Sequence, residues 1–397
     1  MKKKKNKVVI IGGGPTGLMC AHQLAKIADL EIHVYDAQKT FGRKLLVAGN
    51  GGFNLTHSEP INEMIAKYKN LPVWFEQAII DFDNQSTIQF IEKDLGIETF
   101  IGSSNRIFPK KGIKPANMLK RWLYGLESKG VRLHTHKKMI DFDHKMIAFE
   151  DGSKIHFDFL VIALGGISWS KTGSDGNWLN LFEQKNIPIK PFSSSNVGTL
   201  INWPKSISDK YNRAPIKFVK VKVADFEITG DLMLTPYGLE GTPVYASTHF
   251  LKHSTSLLQI DFKPLTPLTT ILKKLKTSSK SISKILKEDI KLDTVVVDLI
   301  KAYSNKEAFQ DPIQLAQLIK NFPLPTQGLR PIEEAISSAG GVKWSNLNQY
   351  SALNNFPNIF LGGEMLDWDA PTGGYLLQAC FSSGAFVAKN IQNSIYH

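Results

Sequence analysis

Short apolar runs alternate with helical repeats along the first part of the chain. A β-branched run at residues 8–11 predicts a strand buried on both faces, and apolar residues at helical spacing follow as far as residue 25. Further strands are predicted at 31–35 and 158–163. Because strands that alternate with helices form parallel sheets, this pattern predicts an α/β fold with a Rossmann-like sheet.

The pattern changes twice along the rest of the chain. Residues 72–133 show mostly helical periodicity, with a turn predicted at 106–109. Beyond Pro191 come short alternating strands such as 218–226, a turn predicted at 229–231, and a lysine-rich helical stretch at 264–321. From Ala335 the sequence is again glycine-rich and strand-like. We therefore predict a two-part domain formed by 1–190 and 335–397, and an inserted domain at 191–334 with a β-barrel-like part and a helical part.

Composition narrows the class of protein. The chain has 397 residues, 42% hydrophobic and 21% charged, which is typical of a globular protein with one or two domains. Its net charge is +12, but the lysines are scattered without interleaved aromatic residues, so a nucleic acid is not the expected partner. No run of 18 apolar residues predicts a membrane span. The two cysteines lie in apolar helical contexts, which favours core thiols and a cytoplasmic location.

Three glycines after the first strand have the G-x-G-x-x-G spacing of a dinucleotide-binding turn. Gly12 permits the tight turn, Gly14 lets the backbone approach a pyrophosphate, and Gly17 permits close packing of helix and strand. Thr16 lies between the last two and is assigned to the same site. Asp36 ends the second strand, where its carboxylate can accept hydrogen bonds from ribose hydroxyls. The motif does not distinguish FAD from NAD.

A loop rich in glycine and cations follows this acid. Arg43 and Lys44 supply positive charge, and the glycine run beyond them can form backbone anion nests. We predict a ligand-wrapping loop rather than a surface turn. Its candidate residues are Arg43, Lys44, Gly49, Asn50, Gly51, Gly52 and Asn54.

Glycines also follow two later strands. Gly165 comes after the strand at 158–163, and Gly363 with Glu364 comes after the strand predicted at 358–361. A last glycine pair leads into a helix predicted at 376–390. Because open α/β sheets bind ligands at the carboxyl ends of their strands, these segments are further candidates for the same site. The residues at the start of that helix are Gly374, Tyr375, Leu376 and Leu377.

Six segments together resemble the HI0933-like flavoprotein family, also known as the BaiN/RdsA-like or aminoacetone oxidase-type group. They read GGGPTGLMCA, GRKLLVAGNGGFNLTHSE, ALGGISWSKTGSDG, LTPYGLEG, AISSAGGV and GGEMLDWDAPTGGYLLQACFSSG, and they extend from residue 12 to 384. The resemblance implies FAD as cofactor, an FAD-binding domain built from both chain ends, and an inserted middle domain.

The resemblance also implies roles for individual residues. The first three glycines would hold the pyrophosphate, Asp36 the adenosine ribose, and the backbone of Met139 the adenine. The loop from Arg43 to Asn54 would reach the phosphates, ribityl chain and flavin, while Gly363, Glu364 and residues 374–377 would border the ribityl chain and pyrimidine ring. Many such flavoproteins have glutamate in place of Asp36, and many relatives have GGRCN where this chain has NGGFN. Other FAD folds commonly have aspartate at the place of Glu364.

The function expected from these features is that of a cytoplasmic FAD-dependent oxidoreductase. Hydride would pass between flavin N5 and a small organic substrate, either an amine or an unsaturated ketone, with NAD(P)H or dioxygen as a possible redox partner. Two alternatives remain open: a flavin-dependent RNA-modifying or RNA-associated protein, and a flavin-carrying protein without catalysis. No acid or base is assigned, and the side chains considered as substrate-facing are also explained by structural roles. They are Tyr237, Glu240, Asp367, Trp368 and Tyr375.

Overall fold

The computed structural model describes residues 5–47, 53–102, 105–251 and 256–396. The strands are β1 Asn6–Ile11, β2 Leu30–Tyr35, β3 Thr56–His57, β4 Thr99–Ile101, β5 Arg106–Pro109, β6 Arg132–His134, β7 Met139–Phe142, β8 Met146–Phe149, β9 Lys154–His156, β10 Phe159–Ile162, β11 Ile189–Ser195, β12 Thr199–Leu200, β13 Ala214–Val223, β14 Phe226–Thr235, β15 Gly238–Glu240, β16 Leu257–Asp261, β17 Phe322–Pro325, β18 Ser337–Val342, β19 Ala352–Leu353 and β20 Phe356–Leu361.

The α-helices are α1 Pro15–Leu24, α2 Arg43–Val47, α3 Ile61–Ile65, α4 Val73–Asp81, α5 Asn84–Gln89, α6 Pro115–Ser128, α7 Leu179–Gln184, α8 Lys205–Ser208, α9 Thr242–Ala246, α10 Leu268–Thr277, α11 Ile282–Lys284, α12 Thr294–Tyr303, α13 Lys306–Gln310, α14 Pro312–Lys320 and α15 Tyr375–Tyr396. Helices α5 and α11 each continue into a π-helical turn, at Phe90–Asp94 and Ile285–Asp289. The chain divides into two compact units, residues 1–193 with 337–397 and residues 194–336.

A six-stranded sheet with the order β19-β20-β10-β1-β2-β6 is the centre of the first unit. Strands β20, β10, β1, β2 and β6 are parallel, and only β19 runs antiparallel to its neighbour. The apolar run of β1 lies in the middle, where Ile10 pairs with Val161 on one side and Val34 on the other. The predicted α/β class with a Rossmann-like sheet is confirmed.

Each face of this sheet is covered by its own apolar cluster. Val8 and Ile10 of β1 pack on the side of α1, α6 and α15, while Val9 and Ile11 pack on the opposite side with β7 to β9. This alternation follows from the period of two in strands, and burial on both faces explains the unbroken β-branched run. Helices from both ends of the chain therefore complete one core.

The second unit contains a sheet that closes on itself and a group of helices. The sheet order is β12-β15-β14-β13-β16-β17, with antiparallel neighbours. Beyond β17 the chain returns to β12, because Gln327 N–H donates to Leu200 O and Leu200 N–H donates to Gly328 O, both at 2.8 Å. Helices α10, α12 and α14 contribute to the same apolar core as these strands. The expected barrel-like part and helical part are both present.

Two predicted turns are wrong. Residues 106–109 form β5, which pairs with β3 and β4, so the arginine and proline there lie in a small sheet. Residues 229–231 lie inside β14, where Gly230 pairs with Val219 across a bulge. The turn of that hairpin lies at Ala224 and Asp225 instead, within the strand predicted at 218–226. In β14, the local glycine and aspartate signals were outweighed by the hydrogen bonds between two long paired strands.

Candidate cofactor-binding site

A cavity of about 600 Å³ crosses the carboxyl ends of the parallel strands in the first unit. Its lining residues follow β6, β2, β1, β10 and β20, in the spatial order of the sheet. Three strand spacings separate β2 from β20, which corresponds to ~14 Å at about 4.8 Å per spacing. The cavity is therefore elongated across the sheet edge, as a binding site for an extended dinucleotide must be.

The glycine turn after β1 forms the middle of the cavity wall. Gly12 has a φ of +105°, and a Cβ there would overlap the carbonyl oxygen of Ala163. A Cβ at Gly17 would overlap the carbonyl oxygen of Gly12, so this glycine packs the helix on the turn and does not line the cavity. Gly14 lines the cavity and has no atom within 4 Å of the position of a Cβ. Only Gly14 therefore leaves open space towards a ligand.

Asp36 is held at the end of β2 by four backbone hydrogen bonds. Its Oδ2 accepts from Gly13 N–H and its Oδ1 from Gln38 N–H, each at 2.8 Å. Its own N–H donates to His134 O and its carbonyl accepts from Lys137 N–H, both at 2.9 Å. Burial raises the pKa of this carboxyl group, while the two N–H donors act in the opposite direction. A carboxylate has about four acceptor positions, so capacity remains for ribose hydroxyls.

Charged residues surround the end of the cavity beside Asp36. Met139, which opens β7, lines this end, as do Lys138 and Glu150. The Lys138 ammonium lies 2.9 Å from the Glu150 carboxylate, and Lys137 pairs with Asp151. Of these residues, the sequence analysis assigned only Met139 to the site. In the sequence, the charged residues of the hairpin look like those of any exposed sheet edge.

A buried ion pair occupies the opposite end of the cavity. Lys44 Nζ donates to Glu364 Oε2 and to Ser168 Oγ, both at 2.7 Å. Glu364 Oε1 also accepts from Ser338 N–H at 3.1 Å. The glutamate side chain is 8% exposed and the lysine side chain 24%. Residues predicted in two distant segments, the cationic loop and the second glycine turn, thus meet directly.

The segment between Thr172 and Trp178 is a part of the wall that the sequence reasoning missed. Besides these two ends, four residues of the segment line the cavity: Gly173, Ser174, Asp175 and Asn177. Gly173 has a φ of +97° and packs on the Gln38 side chain. Ser174 Oγ donates to Gly166 O at 2.8 Å, which folds the segment back onto the turn after β10. The run of Thr, Gly, Ser and Asp was available as a signal, but as a loop composition it is unspecific.

The predicted site residues divide into three groups. Those that line the cavity are Gly12, Gly14, Thr16, Asp36, Arg43, Lys44, Met139, Gly165, Gly363 and Glu364. Those that are described but lie outside its lining are Gly17, Asn54, Gly374, Tyr375, Leu376 and Leu377. Gly49, Asn50, Gly51 and Gly52 lie outside the described residues.

Tyr375 has its own set of partners beside the site. Its hydroxyl donates to Glu59 Oε1 at 2.5 Å and accepts from Lys67 Nζ at 2.9 Å, and Lys67 also pairs with Glu59. Its carbonyl accepts from the Tyr68 hydroxyl at 2.7 Å. Burial, followed by the Glu59 carboxylate, raises the pKa of Tyr375 well above its ordinary range. The side chain thus anchors the start of α15.

The other side chains considered as substrate-facing also have partners within the protein. Trp368 Nε1–H donates to Gly363 O at 2.8 Å, and Asp367 lies 3.0 Å from Lys190 Nζ. In the second unit, the Tyr237 hydroxyl donates to Glu240. These contacts support the structural explanation for each, and none of them identifies an acid or base.

The residues of the cavity fit a dinucleotide such as FAD. The open space at Gly14 suits a pyrophosphate, Asp36 suits a ribose, and the lining continues from Asp36 to Glu364 across three strand spacings. Among the described residues, no group of three or more His, Cys, Asp or Glu side chains is arranged for a metal ion. Within the same part of the chain, no helix has the length and apolarity to cross a membrane.

Comparison with known proteins finds a family and relatives that cover nearly the whole chain. Residues 6–390 match the HI0933-like protein Rossmann domain. A 3-dehydro-bile acid delta(4,6)-reductase from Clostridium scindens is 23% identical over 97% of this chain and 98% of its own length. A ribosomal RNA dihydrouridine synthase from Haemophilus influenzae is 24% identical over 96% and 98%. A 3-ketosteroid-Δ4-(5α)-dehydrogenase structure from Rhodococcus jostii RHA1 has the same fold, with a TM-score of 0.50, 15% identity and coverage of 98% and 97%.

Proposed function

Because the chain belongs to the HI0933-like family of FAD-dependent oxidoreductases, we propose that it reduces a carbon–carbon double bond conjugated to a carbonyl group. The substrate would be a small organic molecule of the unsaturated ketone type. When bound, FAD supplies hydride transfer at its N5 atom. The proposal assigns residues 1–193 and 337–397 to FAD binding and residues 194–336 to an inserted domain.

The names of two nearly full-length relatives carry the choice of reaction. The Clostridium scindens relative is named as a delta(4,6)-reductase of a 3-dehydro-bile acid. The Haemophilus influenzae relative is named as a dihydrouridine synthase of ribosomal RNA. Both products arise by adding hydrogen across a carbon–carbon double bond that is conjugated to a carbonyl group. Neither name describes an amine, so we favour the unsaturated ketone over the amine that the sequence left open.

The chain's own residues bind and orient the cofactor in this proposal. Gly12, Gly14 and Thr16 would lie against the pyrophosphate, and Asp36 would accept hydrogen bonds from the adenosine ribose. Met139 would lie beside the adenine. Gly165, Gly363, Glu364, Arg43 and Lys44 would surround the remainder of the cofactor, towards β10 and β20. A nicotinamide cofactor would dock transiently, since the sequence has one G-x-G-x-x-G turn.

An anaerobic half-reaction tests the reaction class. The holoprotein is photoreduced and mixed with 2-cyclohexen-1-one or 4-androstene-3,17-dione, and the flavin absorbance is followed. We expect reoxidation much faster than that of free reduced FAD at the same concentration. Oxidised holoprotein mixed with a primary amine is the comparison. Bleaching by the amine, without reoxidation by either enone, would contradict the proposal.

RNA is the second candidate substrate, favoured by the name of the Haemophilus influenzae relative. Incubation of the reduced holoprotein with a ribosomal RNA transcript, followed by nucleoside analysis, tests this. Formation of dihydrouridine without turnover of small enones would favour RNA. Bleaching by NADH or any substrate would exclude a passive flavin carrier.

A further inference from the structure

We propose that the Lys44–Glu364 ion pair sets the reduction potential of the bound flavin. The pair lies at the β20 end of the cavity, three strand spacings from the ribose-binding acid at the end of β2. With the pyrophosphate at the glycine turn of β1, the cofactor can extend only towards β10 and β20. The flavin would therefore lie at the end that holds the ion pair.

The pair is held in the cavity wall by hydrogen bonds within the protein. Lys44 Nζ is held by Glu364 and by Ser168, a serine with no exposed surface. Glu364 is held on its other oxygen by Ser338 N–H, and Ser338 Oγ in turn accepts from Ile167 N–H at 3.1 Å. Both charges thus have partners on separate segments of the chain.

Electrostatics gives the direction of the effect. A charge near the flavin ring system tunes the electronics of the cofactor, and reduction adds negative charge to it. The intact pair presents a buried carboxylate whose charge is compensated by an ammonium group. Removal of the ammonium leaves an uncompensated buried carboxylate, which disfavours reduction. Removal of the carboxylate leaves the uncompensated ammonium group of Lys44, which favours reduction of the flavin.

Four variants of the full chain test this, each measured as the midpoint potential of bound FAD against a reference dye under anaerobic conditions. Lys44→Met should lower the midpoint potential by at least about 30 mV. For a two-electron couple this is a tenfold decrease in the ratio of reduced to oxidised flavin at a given applied potential. Glu364→Gln should raise the midpoint potential. The double variant Lys44→Met/Glu364→Gln should return close to the wild-type value, and Lys44→Arg should retain it.

Lys138→Met is the matched control, because Lys138 also lines the cavity in an ion pair but at the end beside Asp36. Its potential should equal that of the wild type at saturating FAD. Equal potentials in all the variants would overturn the proposal. Loss of FAD from Lys44→Met and Glu364→Gln alike would also overturn it, since the pair would then serve binding. The proposal rests on FAD binding and not on the substrate, so failure of the enone experiment leaves it unaffected.

Discussion

At the scale of single residues, the glycines of the G-x-G-x-x-G motif are required for different physical reasons. Gly17 is required by packing, because a Cβ there would overlap the carbonyl oxygen of Gly12. Gly14 is free of any protein neighbour within 4 Å of a Cβ, and it faces the cavity. Gly17 is thus required for folding, and we propose that Gly14 is required for the ligand.

This difference predicts opposite outcomes for two substitutions. Gly14→Val should leave the thermal midpoint of the apoprotein nearly unchanged and abolish FAD binding, because its side chain fills the space assigned to the pyrophosphate. Gly17→Ala should lower the stability of the apoprotein itself by about 1–3 kcal/mol through overpacking. Differential scanning fluorimetry and FAD content measure the two effects. A fully yellow Gly14→Val protein would contradict the site.

Asp36 provides a second test at this scale. Asp36→Ala should weaken FAD binding by about 1–3 kcal/mol, the range for a hydrogen bond to a charged group. The matched control is Asp158→Ala, since Asp158 also accepts a backbone N–H, from Lys7 at 2.7 Å, but at the amino end of β10. The control should lose stability and keep its FAD dissociation constant. An equal loss of affinity in both variants would assign the Asp36 effect to folding.

At the scale of elements, two helices from opposite ends of the chain determine how the first unit is assembled. Helices α1 and α15 cross where Gly384 lies against the backbone of Thr16. Gly363 N–H donates to Ser383 Oγ at 2.9 Å, which ties the turn after β20 to the same crossing. The cavity wall at β1 and at β20 therefore depends on one close helix contact.

Gly384→Ala should destabilise the protein by about 1–3 kcal/mol, because the added Cβ would overlap the Thr16 carbonyl oxygen. Gly125→Ala in α6 is the control, since a Cβ there has no atom within 4 Å. It should stabilise the protein by about 0.5–1 kcal/mol, as alanine does in a helix interior. Urea unfolding measures both changes, and a loss of stability in both would show that the helix crossing is not the cause.

At the scale of the whole molecule, burial makes stability sensitive to acid. His22 on α1 is 3% exposed and its Nε2 lies 2.8 Å from Asp94. Burial lowers the pKa of His22 to about 4 despite this hydrogen bond, against an ordinary value of 6.5. Between these two pH values the unfolded chain binds a proton that the folded protein does not, so stability falls as the pH falls.

We expect the free energy of unfolding to decrease by up to ~3 kcal/mol from this group between pH 7 and pH 4. His22→Leu should remove this part of the slope, while replacement of the exposed His156 by glutamine should retain it. Urea unfolding at a series of pH values gives both slopes. If His22→Leu has the slope of the wild type, the buried histidine is not the source.

The presence of the main buried strands and the chemistry of single segments were accessible from the sequence. The β-branched run of β1 predicted a doubly buried strand because only such a position tolerates four consecutive apolar side chains. Gly14, Asp36 and Glu364 were identified because each lies within three residues of a strand end, and strand ends are recognisable locally. The turns at 106–109 and 229–231 failed because strand pairing depends on partners elsewhere in the chain.

The sequence by itself determined the α/β class, the dinucleotide turn and the acid that follows it, since these depend on neighbours a few residues away. Only the tertiary structure decided that Lys44 neutralises Glu364, 320 residues further along, and that Tyr375 is held by Glu59 and Lys67. Such contacts depend on which strand ends become neighbours in the sheet, and the apolar pattern that buries a strand leaves its position in the sheet open.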